Sequence, residues 1–208
     1  MATDFQQNNL LIAQIRDSYG RLVYTHKTHE KEADLLKQKD NRIKLFQIVL
    51  SVLTTGSILP LLVKENQTFS PVLPAILSAI LSFLNIYVKN QNLAELTVQN
   101  KKAATDLWLL REKYLSLLCD LQMGSISIEE ARKTRNELDE AIASIYSKVP
   151  ITSSKAFGLA QKALKKDKEM TFSDSEIDQF LPTGLRKESK LLPNQVPNQV
   201  TGEASQRH

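Results

Sequence analysis

Two uncharged apolar runs dominate the hydrophobic pattern of this chain, Leu45 to Val63 and Asn66 to Val88. Only Lys64 and Glu65 separate them. A helix rises about 1.5 Å per residue, so roughly 20 residues match a hydrocarbon core about 30 Å thick. Each run is long enough to span a bilayer once, and together they predict a transmembrane helical hairpin.

Two other interpretations of these runs are weaker. An apolar hairpin can be the central pair of a soluble helical bundle. Buried soluble helices usually carry one or two charged side chains that reach solvent, however, and neither run carries any. A cleaved signal sequence fits poorly, because the first run begins only at Leu45 and a second run follows at once.

The basic residues that flank the runs predict the orientation of the hairpin. Positive residues stay on the cytoplasmic side of a membrane, so both termini are expected there. The residues are Lys37, Lys39, Arg42 and Lys44 before the first run, and Lys89, Lys101 and Lys102 after the second.

The segment before the hairpin, from Phe5 to Lys44, is predicted to form one long helix. Nine of its positions follow a four-three spacing, which is typical of a coiled-coil seam. Three of the nine are polar, so this seam should need a partner. The positions are Ile15, Tyr19, Leu22, His26, His29, Ala33, Leu36, Asp40 and Ile43.

The helix that leaves the second run is the predicted partner, and it is expected to continue from the membrane without a break. Because both helices leave the same membrane face, they should lie side by side and antiparallel. The same seam could instead pair between subunits. Its positions are Leu93, Leu96, Asn100, Ala103, Leu107, Leu110, Tyr114, Leu117 and Leu121.

A third helix is predicted to fold back on this stalk. Gly124 and Ser125 should end the stalk helix, and Ser127 with Glu130 forms a capping-box pattern at the start of the next one. Its apolar face extends toward Pro150. A shorter helix is expected from about Ser154 to Asp167.

The predicted fold class is an all-α membrane protein, a two-span hairpin continuous with an antiparallel cytosolic coiled coil and short C-terminal helices. Five segments are expected: a cytosolic helix at 1–44, the hairpin at 45–88, the stalk and return helices at 89–150, a short helical segment at 151–182 and a disordered tail at 183–208.

Small and weakly polar residues recur along both spans. Small residues let helices approach closely in lipid, which is the plainer interpretation. In an oligomer the hydroxyls could instead line a water path, with Asn85 near its cytosolic mouth. The candidate pore-lining or helix-packing residues are Ser51, Thr55, Ala75, Ser78, Ala79, Ser82 and Asn85.

Composition adds little chemistry to this picture. The net charge of +4 is modest and much of the basic excess lies beside the spans, so nucleic acid is not expected as a partner. Phosphate-loop, nucleophile-elbow and zinc-ligand motifs do not occur in the sequence, so neither an enzyme nor a cofactor is expected. His26 and His29 share one helix face, but two ligands are too few for a structural metal. They are better interpreted as polar seam residues.

The chain resembles the SLATT family, two-transmembrane effectors associated with SMODS and SLOG proteins of bacteria. The likeness covers about Asp34 to Lys187. It rests on the hairpin, on Lys39-Asp40-Asn41-Arg42-Ile43-Lys44, on the segment from Ala103 to Tyr114, on Ala160-Gln161-Lys162-Ala163-Leu164, and on Phe172 to Arg186 with Phe180-Leu181-Pro182.

The resemblance implies an anti-phage effector of the bacterial inner membrane that a sensor protein or a nucleotide second messenger switches on. It carries no catalytic motif with it. Trp108, Arg111 and Tyr114 form a matching patch, interpreted either as packing of the stalk or as a signal-sensing site in which Arg111 would contact phosphate.

The leading hypothesis is a homo-oligomer that permeabilises or depolarises the membrane. The alternative is a membrane-anchored scaffold that recruits a cytosolic partner without forming a pore. A weaker third hypothesis is lipid sensing through the lysines between Lys162 and Lys168.

Overall fold

The computed structural model describes residues 2–62 and 71–186, and within them the chain is helical with no strand. The predicted connecting loop around Lys64 and Glu65 and the tail from residue 187 lie outside the described residues. The helices are α1 (Ala2–Leu62), α2 (Val72–Gln91), α3 (Leu93–Met123), α4 (Ile128–Tyr146), α5 (Ser154–Lys165) and α6 (Asp174–Phe180), followed by a short 3₁₀ helix, Thr183–Leu185.

The predicted N-terminal helix and the first span form one continuous helix, α1. It has 61 residues and is therefore about 90 Å long. No proline occurs before Pro60, and Gly20 does not interrupt it. Both α1 and the helix pair α2–α3 are long and apolar enough to cross a membrane, which confirms the predicted two-span class.

The second span and the stalk are not continuous, so the prediction of an unbroken helix was wrong at one residue. Asn92 separates α2 from α3 with φ 45° and ψ 40°. Asparagine tolerates this left-handed conformation better than most residues. Its amide donates a hydrogen bond to Glu95. The Asn92 carbonyl accepts from Leu96 N–H at 3.1 Å, so α3 begins at once.

The two predicted seams meet each other between α1 and α3. Every predicted seam position is buried or half-buried, and Ile15, Leu107 and Tyr114 are completely enclosed. This confirms pairing of the two helices within the chain. A coiled-coil arrangement of their side chains, and pairing between subunits, stay predictions.

Helix α4 folds back on α3 as predicted. Gly124 ends α3 with φ 67°, and Ser127 accepts from Glu130 N–H at 3.2 Å while its own N–H donates to the Glu130 carboxylate at 3.0 Å. This is the predicted capping box. Ala131 and Leu138 are buried in the apolar core that α4 shares with α1 and α3.

Helix α5 lies along α1. Its buried face consists of small residues, Ala156, Ala160 and Ala163, which allow a close approach. Ser153, just before α5, donates from its N–H to the Glu32 carboxylate at 2.8 Å. Farther along, the rings of Phe157 and Tyr24 lie 6.3 Å apart. Helix α5 therefore runs away from the membrane spans, and Lys162 and Lys165 lie at its far end. This position does not suit the third hypothesis.

Residues 168–186 belong to a separate unit. Ser173 caps α6 with a second capping box, since its hydroxyl accepts from Glu176 N–H at 3.3 Å. The 3₁₀ helix begins at Thr183, where disorder was predicted to start. Disorder of the tail stays a prediction.

Candidate functional site

The contact between the two spans uses large side chains of α2. Leu50 and Thr54 of α1 are buried, as is Pro74 of α2. Leu77 and Leu81 of α2 are half-buried. These positions recur every three to four residues, so one face of α2 lies against α1.

The predicted small residues lie off this contact face. Within the single chain Ala75, Ser78, Ala79 and Ser82 of α2 are all exposed, and so are Ser51 and Thr55 of α1. We call the first four the small-residue strip.

A serine or threonine hydroxyl can face lipid if its hydrogen bond is satisfied locally. In α1, Thr55 Oγ1 donates to the Ser51 carbonyl at 3.0 Å, one turn back along the same helix. Thr54 Oγ1 does the same to Leu50 at 2.8 Å. Because the Thr55 bond stays inside one helix, it leaves this exposed surface of α1 free to meet another helix.

An amide pair links the spans at the end nearest the helical bundle. Gln47 Nε2 donates to Asn85 Oδ1 at 2.7 Å. Asn85 was among the predicted site residues, whereas Gln47 was not. The pairing could have been foreseen, because Gln47 lies two residues inside the first run and Asn85 three residues from the end of the second, so an antiparallel hairpin brings them level.

A buried polar layer interrupts the apolar seam above the membrane. His29 Nδ1 and Asn100 Oδ1 are 2.8 Å apart, and the two residues are only 4% and 1% exposed. Asn100 Nδ2 donates to the Leu96 carbonyl at 2.9 Å. Both polar ends of the Asn100 amide are therefore satisfied, which fixes its orientation.

His26 lies about one helical turn from His29 along α1, and charged groups surround it. Lys27 Nζ lies 2.9 Å from the Glu30 carboxylate, whereas His26 Nε2 lies 3.9 Å from it. His26 Nδ1 is buried and makes no hydrogen bond within the described residues. Burial lowers the pKa of His26 from its ordinary value, and the nearby cations Arg111, Lys27 and Lys101 add to this, while Glu30 opposes it.

The pKa of Glu30 is also lowered. Burial acts to raise it, but the hydrogen bond and the charge of Lys27 outweigh burial. Within the described part of the chain, this layer contains no group of three or more His, Cys, Asp or Glu side chains that could hold a metal ion.

Trp108, Arg111 and Tyr114, the predicted sensing patch, do not line one common pocket. Trp108 is 46% exposed, whereas Tyr114 is completely buried and donates to Asp139 Oδ1 at 2.6 Å. Burial, together with Asp139, raises the pKa of Tyr114. The Arg111 guanidinium lies 2.5 Å from Glu112. Tyr114 thus packs in the core, and a sensing role for the three residues stays a prediction.

A family model described as SMODS and SLOG-associating 2TM effector domain family 4 matches residues 11–176. The chain belongs to this SLATT family. It is thus a two-transmembrane effector domain of a kind associated with defence systems. No curated protein and no solved structure matched it.

The SLATT match and the resemblance drawn from the sequence differ at both ends. The match begins at residue 11, well before Asp34, so it also includes His26 and His29 of the polar layer. It ends at residue 176, before Phe180-Leu181-Pro182. That tripeptide, used as part of the likeness, lies outside the SLATT match.

Proposed function

We propose that this SLATT chain is a bacterial anti-phage effector that self-associates in the inner membrane and permeabilises or depolarises it when a sensor protein or nucleotide signal triggers it. One observation carries the proposal: the small-residue strip of α2 faces outward from the single chain. The hairpin packs on itself without the strip, so the strip is available to a second copy.

The position of the buried seam supports this route of assembly. The four-three seams of α1 and α3 are occupied by each other within one chain. Copies would therefore meet through the outer surfaces of the spans, where small side chains bring helix backbones close together. Around a common axis, Ser78 and Ser82 would supply hydroxyls to a water path.

The orientation in this proposal follows the flanking charges. Arg42 and Lys44 lie just before the first span and Lys89 lies at the end of the second. Positive residues at both ends of a hairpin favour the cytoplasmic side. The helical bundle would then face the cytosol, where a sensor or a nucleotide could reach it.

The test is a membrane-potential measurement with a voltage-sensitive dye. Bacteria would express the chain alone, and then with its genomic neighbours during phage challenge. The variant Ser78→Leu/Ser82→Leu fills the small-residue strip, and Ile76→Leu/Ile80→Leu is the matched control on exposed large positions of the same helix. We expect depolarisation before lysis with the wild type and the control, and none with the serine variant. Depolarisation by the serine variant would contradict the proposal, as would protection at an unchanged potential.

The second candidate is a membrane-anchored scaffold without a pore. Exposed apolar side chains on the cytosolic helix α3, Trp108, Leu109 and Leu115, favour it because they offer a surface for a partner. Replacing residues 45–88 with an unrelated two-span anchor separates the two functions. A scaffold keeps its protection after this replacement, whereas a pore loses it.

A further inference from the structure

A groove opens where the helical bundle meets the spans. It has a volume of about 610 Å³ and lies between α1, the start of α5 and the end of α2. Three basic side chains line it: Lys39 and Arg42 from α1, and Lys155 from α5. Tyr87 of α2 contributes an aromatic wall.

The groove begins at the depth of lipid headgroups. Arg42 and Lys39 precede Leu45, the first residue of the uncharged run, by three and six positions. At 1.5 Å per residue they lie about 4.5 and 9 Å beyond the hydrocarbon edge. The headgroup layer is about 5 to 8 Å thick on each side of a bilayer, so Arg42 lies within it and the long side chain of Lys39 reaches toward it from just beyond. Tyr87 lies at the same boundary, which tyrosine side chains favour.

The acidic side chain in the groove bonds to a serine and not to the basic groups, which leaves those groups available to an anion. The acidic side chain there, Glu32, already accepts hydrogen bonds from Ser153, at 2.8 Å from the N–H and 2.5 Å from the hydroxyl. Lys39 Nζ lies 5.9 Å from the centre of the Tyr87 ring, which holds the ammonium beside the membrane.

The neighbouring Lys44 provides a contrast. Its ammonium lies 2.6 Å from Asp40, so its charge is already neutralised within the chain. Arg42 makes no such ion pair within residues 2–62 and 71–186, and neither does Lys155.

We propose that this groove binds the phosphate of an anionic phospholipid headgroup. Arg42 presents a planar pair of donors that matches two phosphate oxygens, and Lys39 adds a second charge from the next helical turn. Lys155 closes the end of the groove that faces the bundle. A bound lipid would thereby touch α1 and α5 together and join the bundle to one leaflet of the bilayer.

Native mass spectrometry of the full chain in detergent tests this assignment. Dioleoylphosphatidylglycerol is titrated against dioleoylphosphatidylcholine, and the apparent affinity of each is measured. The variant Lys39→Gln/Arg42→Gln removes two groove charges. Its matched control, Lys162→Gln/Lys165→Gln, removes two exposed charges at the same spacing from the far end of α5.

We expect the groove variant to bind phosphatidylglycerol about ten- to thirtyfold more weakly, because each basic contact to an anionic lipid contributes about 1 kcal/mol. The control should bind like the wild type, and phosphatidylcholine should bind weakly to all three proteins. Equal losses in both variants would overturn the proposal, since that result indicates diffuse attraction. So would an unchanged affinity in the groove variant.

A second arm separates lipid from soluble phosphate. Inorganic phosphate and soluble glycerophosphoglycerol compete with the lipid in the same titration. Failure to displace it at millimolar concentration supports a lipid site. Displacement by either compound that depends on Lys39 and Arg42 would assign the groove to a soluble phosphate and overturn the lipid assignment. Both variants change exposed side chains, and circular dichroism confirms that they fold.

Discussion

The hydrogen bond between His29 and Asn100 gives the sharpest test of how the two stalk helices recognise each other. Replacing Asn100 with leucine removes the acceptor and leaves a buried ring nitrogen of His29 without its partner. Replacing His29 with leucine leaves the Asn100 carbonyl oxygen unpaired. The double variant removes both polar groups, so neither is left buried and unpaired.

The expected magnitudes follow from the burial of the pair. A buried polar group left unpaired costs about 1 to 3 kcal/mol, so each single variant should lose about 2 kcal/mol of unfolding free energy. For a chain of this length, that corresponds to a decrease in Tm of about 4 to 8 °C. The double variant should lose much less than the sum, with a coupling of about 1 to 3 kcal/mol.

Thermal unfolding of the full chain in detergent, followed by circular dichroism at 222 nm, measures the four proteins of this cycle. Gln122→Leu is the control, because it exchanges an amide for leucine on the exposed face of the same helix. It should change the unfolding free energy by less than about 0.5 kcal/mol. Additive losses in the double variant would refute the reasoning, since they would show that the two groups stabilise the chain independently.

Two further predictions concern the attachment of α5 and the response to acid. Ser153→Ala removes the cap of α5 and a hydrogen bond to Glu32, so it should cost about 1 kcal/mol and speed amide hydrogen exchange in α5, whereas Ser154→Ala should not. Burial lowers the pKa of His26 in the folded chain below its ordinary 6.5. As pH falls through 6.5, His26 therefore takes up a proton more readily in the unfolded chain, and the free energy of unfolding should decrease. Tm should therefore drop from pH 7.5 to 5.5 in the wild type and less in His26→Gln. An equal drop in both proteins would exclude His26 as the cause; Glu30, with its pKa below 4.5, stays ionised over this range.

The four-three spacing predicted the bundle well because it reports a physical requirement. Helices that pack along their length must bury a side chain every three or four residues, and the positions from Ile15 to Ile43 and from Leu93 to Leu121 do so. The helix cap of α4 was equally predictable from the sequence, because Ser127 and Glu130 form it through local hydrogen bonds.

Features that depend on which surfaces meet were harder to predict. Small residues such as Ser78 suit a close contact or a lipid-facing surface equally, so their spacing did not show that they face outward. The interruption at Asn92 has no glycine or proline beside it to mark it. The pairing of His29 with Asn100 required the register of α1 against α3, which neither segment specifies alone.

The interruption at Asn92 makes the two connections between bundle and membrane mechanically unequal. On one side, α1 passes from the bundle into the bilayer as one continuous helix. A rotation of the bundle about the axis of α1 would therefore be transmitted to the first span. On the other side, Asn92 interrupts the helical path, and a change in its φ and ψ alone would reorient α2 relative to α3. A rotation of the helical bundle would therefore reach the hairpin chiefly through α1, and the second span would follow through its contacts with the first.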